Sequence, residues 1–545
     1  MLSSNAPTFL HLDLAAGTSA VTSYEELIPS VGGLGWGLAL FEKFYDPQKE
    51  APIILTIGLL SAVFPGAAKT LAVFQSPQTK GLATSLAGGS LARFIRFAGF
   101  GGIIITGTSP KPVFASIREN AVEFKPANPL LGLEISKVFE RIYAEEGISS
   151  RRAVLVTGPA SDGGISFSSA YVDEFFSFPR NGLGAALAKK NLKGLAIAGG
   201  KGESIEEERR YGEVFDRLTK RLGGYEDLSK LGTLKNLSAE GDLNAVATNN
   251  LAFLSQTPAR LKAEEFASAL GARRVSCAGC PIGCIHLLRL GKDFVPYDYD
   301  GVAALGPLLG LDNPVEIGSL IKMAWDGGLD PTSLGVVLAY LTEKEKLKFG
   351  DFESYKTLIQ AILSGKEKWA KDLWGGLPVE EEALVLGGLE ALPYFNGYGS
   401  LLSQVFRLGA TTEENRGFVV DLTILGKEPT PKDLVGDLVK AEKKKILSQL
   451  LVGCGYLSEV YEDPATAFAG LDALKSGFSH DKLQKAADQV FKDFLKLQKL
   501  LGFDPLSARI PRKFLEVSTP QGKLEEEKVA EFRKFYEENI FAPTS

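Results

Sequence analysis

Apolar runs rich in β-branched residues recur through the first 200 residues: "TFLHLDL", "PIILTIG", "LAVFQS", "GGIIITG", "PVFASIR", "AVLVTG" and "LKGLAIAGG". Their length, and the Gly, Pro and Ser turns between them, predict the strands of one or two sheets. Near residue 204 the period changes. Ser204 and Glu207 in "SIEE" predict a capping box, followed by a charged amphipathic helix, "EERRYGEVFDRLTKRLGG", closed by Gly223 and Gly224. Helical periodicity then dominates, as in "PVEIGSLIKMAW", "LSQVFRLG", "DLVGDLVKAEKKKILSQLL" and "EEEKVAEFRKFYEEN". The expected fold is α+β, with a β-rich N-terminal domain over residues 1–203 and two mainly helical domains over 204–395 and 396–545.

The apolar stretch "APIILTIGLLSAVFPGAA" is long enough to suggest a membrane span. Pro52, Gly58, Pro65 and Gly66 interrupt it, however, and its β-branched first half suits a strand buried on both faces. The N-terminus "MLSSNAPTFLHLDL" lacks a basic leader, so no export segment and a cytoplasmic protein are expected. A net charge of −6 and a pI near 5.5 give no global basic field for nucleic acid. At 545 residues the chain exceeds what one core supports.

Four cysteines in this length do not make a disulfide scaffold. Cys277, Cys280 and Cys284 stand together as CxxCxxxC in "CAGCPIGC", and Cys454 lies far downstream. Three thiolates on a tight turn can reach three corners of one cluster, with a distant fourth closing it. Four thiolates suit zinc or a 4Fe-4S cluster; zinc sites more often show two CxxC pairs, whereas here the split is three plus one. Four structural cysteines remain the alternative. Ala278, Gly279 and Gly283 are small enough for backbone N–H groups to approach bound sulfides.

"CAGCPIGC", followed by "YDYDGVAALGPLLGLDN", resembles the signature of the tungsten-containing aldehyde ferredoxin oxidoreductase family. The order of "LHLDLAAGT", "GGLGWGLAL", "SPQTKG", "PRNGLGAALAKKNLKGLAIAGG", "GGLDPTSLG", "ENRG", "LLVGCGYL" and "IPRKFL" extends that resemblance over nearly the whole chain. It implies a β-sheet base under two helical domains, a tungsten (or molybdenum) bis-pterin cofactor, and a 4Fe-4S cluster held by Cys277, Cys280, Cys284 and Cys454. It also implies oxidation of a small-molecule aldehyde with electrons passed to a ferredoxin-like acceptor, and it allows a homodimer.

By the same resemblance, Lys69, Arg180, Asn181, Gly182, Leu183, Gly184, Gly328, Leu329 and Asp330 contact the pterins. The chain departs from the family at several positions. Lys69 replaces an arginine, Leu86 an asparagine near the phosphates, and Trp325 the leading aspartate of the first pterin motif, with Asp326 one place along. In the second motif Gln449 replaces the aspartate and Val452-Gly453 the Gly-Leu pair, while Val420 takes the place of a histidine that acts at the metal. Acid–base work then falls to Asp300 or Asp298, whose bland alternative is a solvated turn. His286 is expected as a surface neighbour of the cluster, and Lys443-Lys444-Lys445 as a solvated helix face or a patch for an acidic ferredoxin. The coincident departures favour a second reading, a diverged paralogue that keeps the cluster for electron transfer or structure.

Overall fold

The computed structural model describes residues 6–119, 121–146, 152–200, 205, 207–271, 273–408 and 416–544. Two six-stranded sheets form the N-terminal part. The first contains β1 (Thr8–Asp13), β2 (Thr18–Ser23), β3 (Ile53–Thr56), β4 (Thr70–Gln75), β5 (Leu82–Ala87) and β6 (Gly102–Thr106), in the order β2-β1-β6-β3-β4-β5. The second contains β7 (Val113–Arg118), β8 (Ala121–Pro126), β9 (Arg152–Thr157), β10 (Ala170–Val172), β11 (Phe176–Phe178) and β12 (Leu192–Ala198), in the order β11-β10-β9-β12-β7-β8. Each sheet has one parallel pair, β1 with β6 and β7 with β12, among otherwise antiparallel pairings.

All seven runs read as strands are strands. The ambiguous apolar stretch supplies β3, whose four residues are all buried between β6 and β4, and no described helix is long and apolar enough to cross a membrane. Helix Gly33–Phe44 covers this sheet, packing on β3 and β4 with Gly37 against Val73, while its Trp36 ring meets Phe9 of β1 edge-on at 5.7 Å. The sheets adjoin through their edge strands β5 and β11.

Ser204 lies outside the described residues, and the helix at Glu208–Leu222 starts with Glu207 at the N-cap and no side-chain cap. The expected capping box is therefore not formed around Glu207 as an N3 residue. The later part is also less purely helical than its periodicity suggests. A hairpin, β13 (Val246–Thr248) with β14 (Phe253–Ser255), precedes a three-stranded sheet of β15 (Arg273–Val275), β16 (Ile285–Leu290) and β17 (Asp293–Tyr297). The CxxCxxxC segment is the loop joining β15 to β16, so pairing of Val275 with Ile285 closes its base.

Cys454 is delivered from elsewhere. Helix Pro431–Leu451 ends on a seat of glycines between it and the first sheet: a Cβ on Gly33 would overlap the Gln449 carbonyl oxygen, one on Gly58 that of Leu451, and one on Gly32 would lie 2.7 Å from that of Leu450. Any larger residue would lift the helix end away. Val452 then takes a left-handed turn at φ 52°, and Cys454 follows in a buried position.

Candidate functional site

Cys277, Cys280, Cys284 and Cys454 line one cavity, together with Gly66, Lys69, Ile282, Tyr456 and Leu457. Three features hold the loop in place. The Cys280 N–H donates to the Cys277 carbonyl at 3.0 Å, the Ala278 N–H donates to the Gly89 carbonyl at 3.0 Å, and Gly279 and Gly283 adopt φ of 75° and 68°. Gly88 presses on Cys277 from below; a Cβ there would stand 2.5 Å from Sγ. Burial pushes the Cys280 thiol above its ordinary range, and neighbouring Cys277 adds to this while Lys69 opposes it. Among the described residues, no three His, Cys, Asp or Glu side chains converge as ligands of a single ion.

A second cavity adjoins the first and shares Lys69, Ile285 and Tyr456 with it. It lies where β5 and β11 meet the helical part. Leu86 and Gly88 come from the first sheet, and Phe175, Phe176 and Pro179 from the second. Tyr297, Asp298 and Asp300 come from the end of β17 and the helix Tyr299–Leu305. Trp325 and Asp330 end one helix and begin the next. Lys69 reaches the shared wall from the loop between β3 and β4, which Arg96 pins by donating to the carbonyls of Leu59 (2.9 Å) and Ser61 (3.1 Å).

The aspartates are not a solvated turn. Asp298 is the N-cap of helix Tyr299–Leu305 and accepts the Gly301 N–H at 2.7 Å. Burial raises its carboxyl from 3.8 to about 6, against the lowering effect of that N–H and with a further push from Asp330. Asp300 is 2% exposed and sits well above its ordinary value, through burial first and Asp298 second, with the Tyr394 hydroxyl and Arg180 pulling it down. Burial disfavours the charged form of a carboxyl so placed.

Because Asp298 binds its proton more tightly folded than unfolded, its stability contribution is complete below about pH 4 and is lost as pH rises through about 6. Asn caps a helix as well as Asp does. The Tm of the parent minus that of Asp298→Asn is therefore expected to fall steadily between about pH 4 and 7 in a thermal melting series. A difference independent of pH would show that Asp298 is not perturbed.

Of the residues expected to touch pterins, Lys69 and Asp330 line the second cavity. Arg180, Asn181, Gly182, Leu183, Gly184, Gly328 and Leu329 are not among its lining residues; they form a packed layer behind it. Arg180 and Asn181 are left-handed at φ 60° and 57°, and the Arg180 guanidinium donates to the Glu390 carbonyl and, at 3.4 Å, to Ser333 Oγ. The Arg180 N–H donates to Asp330 Oδ2 at 2.9 Å, and the Ser333 N–H to Asp330 Oδ1 at 2.8 Å. The Asn181 amide donates to the Thr84 carbonyl at 3.1 Å, and a Cβ on Gly182 would overlap the Ser166 carbonyl. Gly328 ends a helix at φ 78°, and the Leu329 carbonyl accepts the Tyr171 hydroxyl at 3.0 Å. The turn and the Gly-Leu-Asp junction therefore brace Asp330.

Three of the departures from the family pattern, Lys69, Leu86 and Trp325, face the second cavity, with the Trp325 ring edge-on to Tyr171 at 4.4 Å. Gln449 and Val420 are buried but do not line it. His286 is buried rather than superficial: its Nε2 lies 3.2 Å from the Ser229 carbonyl, and burial lowers its pKa. The lysine run is not one face. Lys443 pairs with Asp488 at 2.9 Å, Lys445 is buried beside Glu442, and Lys444 alone is exposed. Sequence reasoning missed Glu240, Tyr299 and Tyr394, which surround Asp300; the tyrosine in "YDYD" was on view, whereas Glu240 in "NLSAEGD" carries no signal.

Comparison with known proteins gives consistent results. The family described as aldehyde ferredoxin oxidoreductase, N-terminal domain, matches residues 9–199, and that described as aldehyde ferredoxin oxidoreductase, domains 2 & 3, matches residues 212–376. Tungsten-containing aldehyde ferredoxin oxidoreductases of Pyrococcus furiosus and Thermococcus kodakarensis are 26% and 27% identical, each over 94% of this chain and 92% of the relative. A P. furiosus aliphatic sulfonate oxidoreductase, WOR-like subunit, is 25% identical over 58% of this chain and 56% of its own. The fold also matches the active site complex BamBC of benzoyl coenzyme A reductase in complex with 1,5-dienoyl-CoA, with a TM-score of 0.80 and 18% identity over 98% of this chain and 94% of the other.

Proposed function

The chain belongs to the aldehyde ferredoxin oxidoreductase family, and from that premise we propose a tungstopterin oxidoreductase that converts an aldehyde to its carboxylic acid and passes electrons through a 4Fe-4S cluster to a ferredoxin-like acceptor in the cytoplasm. The observation that carries this reading is the pair of adjoining cavities, one walled by four cysteines and the other lined by Asp298, Asp300 and Asp330, which share Lys69, Ile285 and Tyr456.

The residues suit both groups. Four thiols around a cavity, rather than around one point, favour a cluster over zinc, which needs its donors about 2.3 Å from a single centre. In the second cavity, Lys69 offers a cation to pterin phosphate, and Gly88 leaves the wall open. In this reading residues 1–203 form the base and residues 204–395 and 396–545 cover it. When bound, a pterin-held tungsten or molybdenum supplies the two-electron oxidation.

The chain supplies the surroundings. Aldehyde plus water gives acid, two protons and two electrons, so the site has to export protons as well as electrons. Asp300 and Asp298 handle protons at their carboxyl oxygens. Leu86, Phe175, Phe176 and Trp325 make an apolar wall that excludes bulk water and suits the hydrocarbon part of a small aldehyde.

The presence of Leu86 and Trp325 in that wall also favours the diverged-paralogue reading, in which the cluster stays and the pterin is lost. Elemental analysis of anaerobically purified protein separates the two. Tungsten or molybdenum near one per chain, with iron near about four, is the expected result. Iron without either metal would establish the paralogue, and zinc in place of iron would end both readings.

A further inference from the structure

A third cavity, of about 420 Å³, opens where β7, β9 and β12 of the second sheet come to one end, and it shares no lining residue with the two described above. Ala198 of β12 pairs with Arg118 of β7 on one side and with Arg152 of β9 on the other. In-register neighbours project from the same face of a sheet, so the two arginines start about 10 Å apart, two strand spacings, with only the Ala198 methyl group between them. Their charges are met differently. Arg118 has a side chain 65% exposed and donates to Glu146 Oε2 at 3.2 Å. Arg152 is 6% exposed, and among the described residues its Nε and Nη2 have no hydrogen-bond partner. Glu146 lines the same cavity but is already engaged: Ser116 Oγ donates to its Oε2 at 2.8 Å, and Lys125 to its Oε1. Glu119, the other acid in the wall, is exposed to solvent.

A buried guanidinium without an acceptor destabilises the fold, and arginine does not escape by losing its proton. A hydrophobic residue of similar volume would avoid that penalty. We propose that the cavity binds a phosphate monoester of a small organic molecule, with the phosphate held between Arg152 and Arg118. The guanidinium fork matches phosphate oxygens. Cations on opposite sides of one opening suit a group with acceptor oxygens on several faces, which phosphate has and a planar carboxylate lacks. The cavity has room beyond the phosphate, and Ile117, Ala196 and Ala198 give it an apolar wall for the organic part. Gly199 and Gly200 put no side chain into the opening, and a Cβ on Gly200 would meet nothing within 4 Å. The site is independent of the reaction proposed for the other two cavities.

Titration calorimetry and thermal melting of the full-length protein test this with two probes, inorganic phosphate and phenyl phosphate, at fixed ionic strength with chloride as the control anion. Both probes should bind and raise the Tm with concentration, phenyl phosphate the more tightly by about fivefold or more because its ring is removed from water. Arg152→Met keeps an unbranched side chain and removes the charge, so it should weaken both probes by about tenfold or more. In phosphate-free buffer the same variant should melt at or above the parent's Tm, and added phosphate should reverse that order. Arg118→Gln, at an exposed position, should weaken phosphate by a smaller factor. A parent that binds neither probe more tightly than chloride, or an Arg152→Met protein that binds both as the parent does, would overturn the site. Should Arg152→Met fail to fold, Arg152→Lys, which keeps the charge and loses the fork, takes its place. Parent-like affinity in both Arg152→Lys and Arg118→Gln would then overturn the site. Equal affinity for the two probes would overturn the monoester and make phosphate itself the ligand.

Discussion

Cys454→Ser is expected to lower the iron content of anaerobically purified protein from about four atoms per chain to about three or fewer, and to bleach or convert the cluster absorption. Cys454 lies 170 residues beyond Cys284 yet lines the same cavity as Cys277, Cys280 and Cys284. The thiolate, not the hydroxyl, is the competent ligand. Serine is slightly smaller than cysteine and the position is buried, so the fold should survive and a melting curve should move little. Native iron and an unchanged spectrum in this variant would remove Cys454 from the ligand set.

The second large effect is on turnover. Asp300→Asn keeps the shape of the side chain but removes its capacity to take up and release a proton. A loss of about a hundredfold or more in viologen-coupled aldehyde oxidation is expected, with iron and tungsten content unchanged, that being the usual contribution of a general acid or base. Thermal stability should hold or rise, since a buried, partly unpaired carboxyl is replaced by a neutral amide. Equal turnover in the two proteins would dismiss Asp300 and leave the metal, with Asp298, to handle protons.

What could be read from the chain in advance was whatever burial on both faces imprints locally. β3, β6 and β9 are runs of Ile, Val and Leu because no face of them meets water. β2, "TSAVTS", is an exposed edge and looks like a loop. β5, "LATSLA", is fully buried, but small polar residues hide it. Three thiols at close spacing announce their chemistry, whereas the hairpin that carries them has exposed Arg273 and Arg274 on one arm and reads as no strand at all. The aspartates were visible in "YDYD", but their burial comes from separate helices, Lys235–Asp242 and Pro331–Lys344 among them, that pack on Tyr299–Leu305 and leave no local mark. Arg180 was recognisable as a turn residue, yet its partners, Ser333 and Glu390, lie 153 and 210 residues away. The lysine run was misread for a reason available beforehand: successive helical residues point about 100° apart, so three in a row cannot share one face.

The glycine seat under the end of helix Pro431–Leu451 bears on the order of events in the cell. During synthesis Cys277, Cys280 and Cys284 leave the ribosome while 170 residues up to Cys454 are still to be added. A nascent chain can therefore offer three thiolates and no fourth. The missing one arrives only when the helix has formed and its last turn has come down on Gly32, Gly33 and Gly58. On the proposed ligand set, cluster insertion is then a post-translational step that reports completion of the fold, and a chain stopped short of Cys454 or carrying a side chain at Gly58 would reach the iron-delivery machinery as an incomplete acceptor.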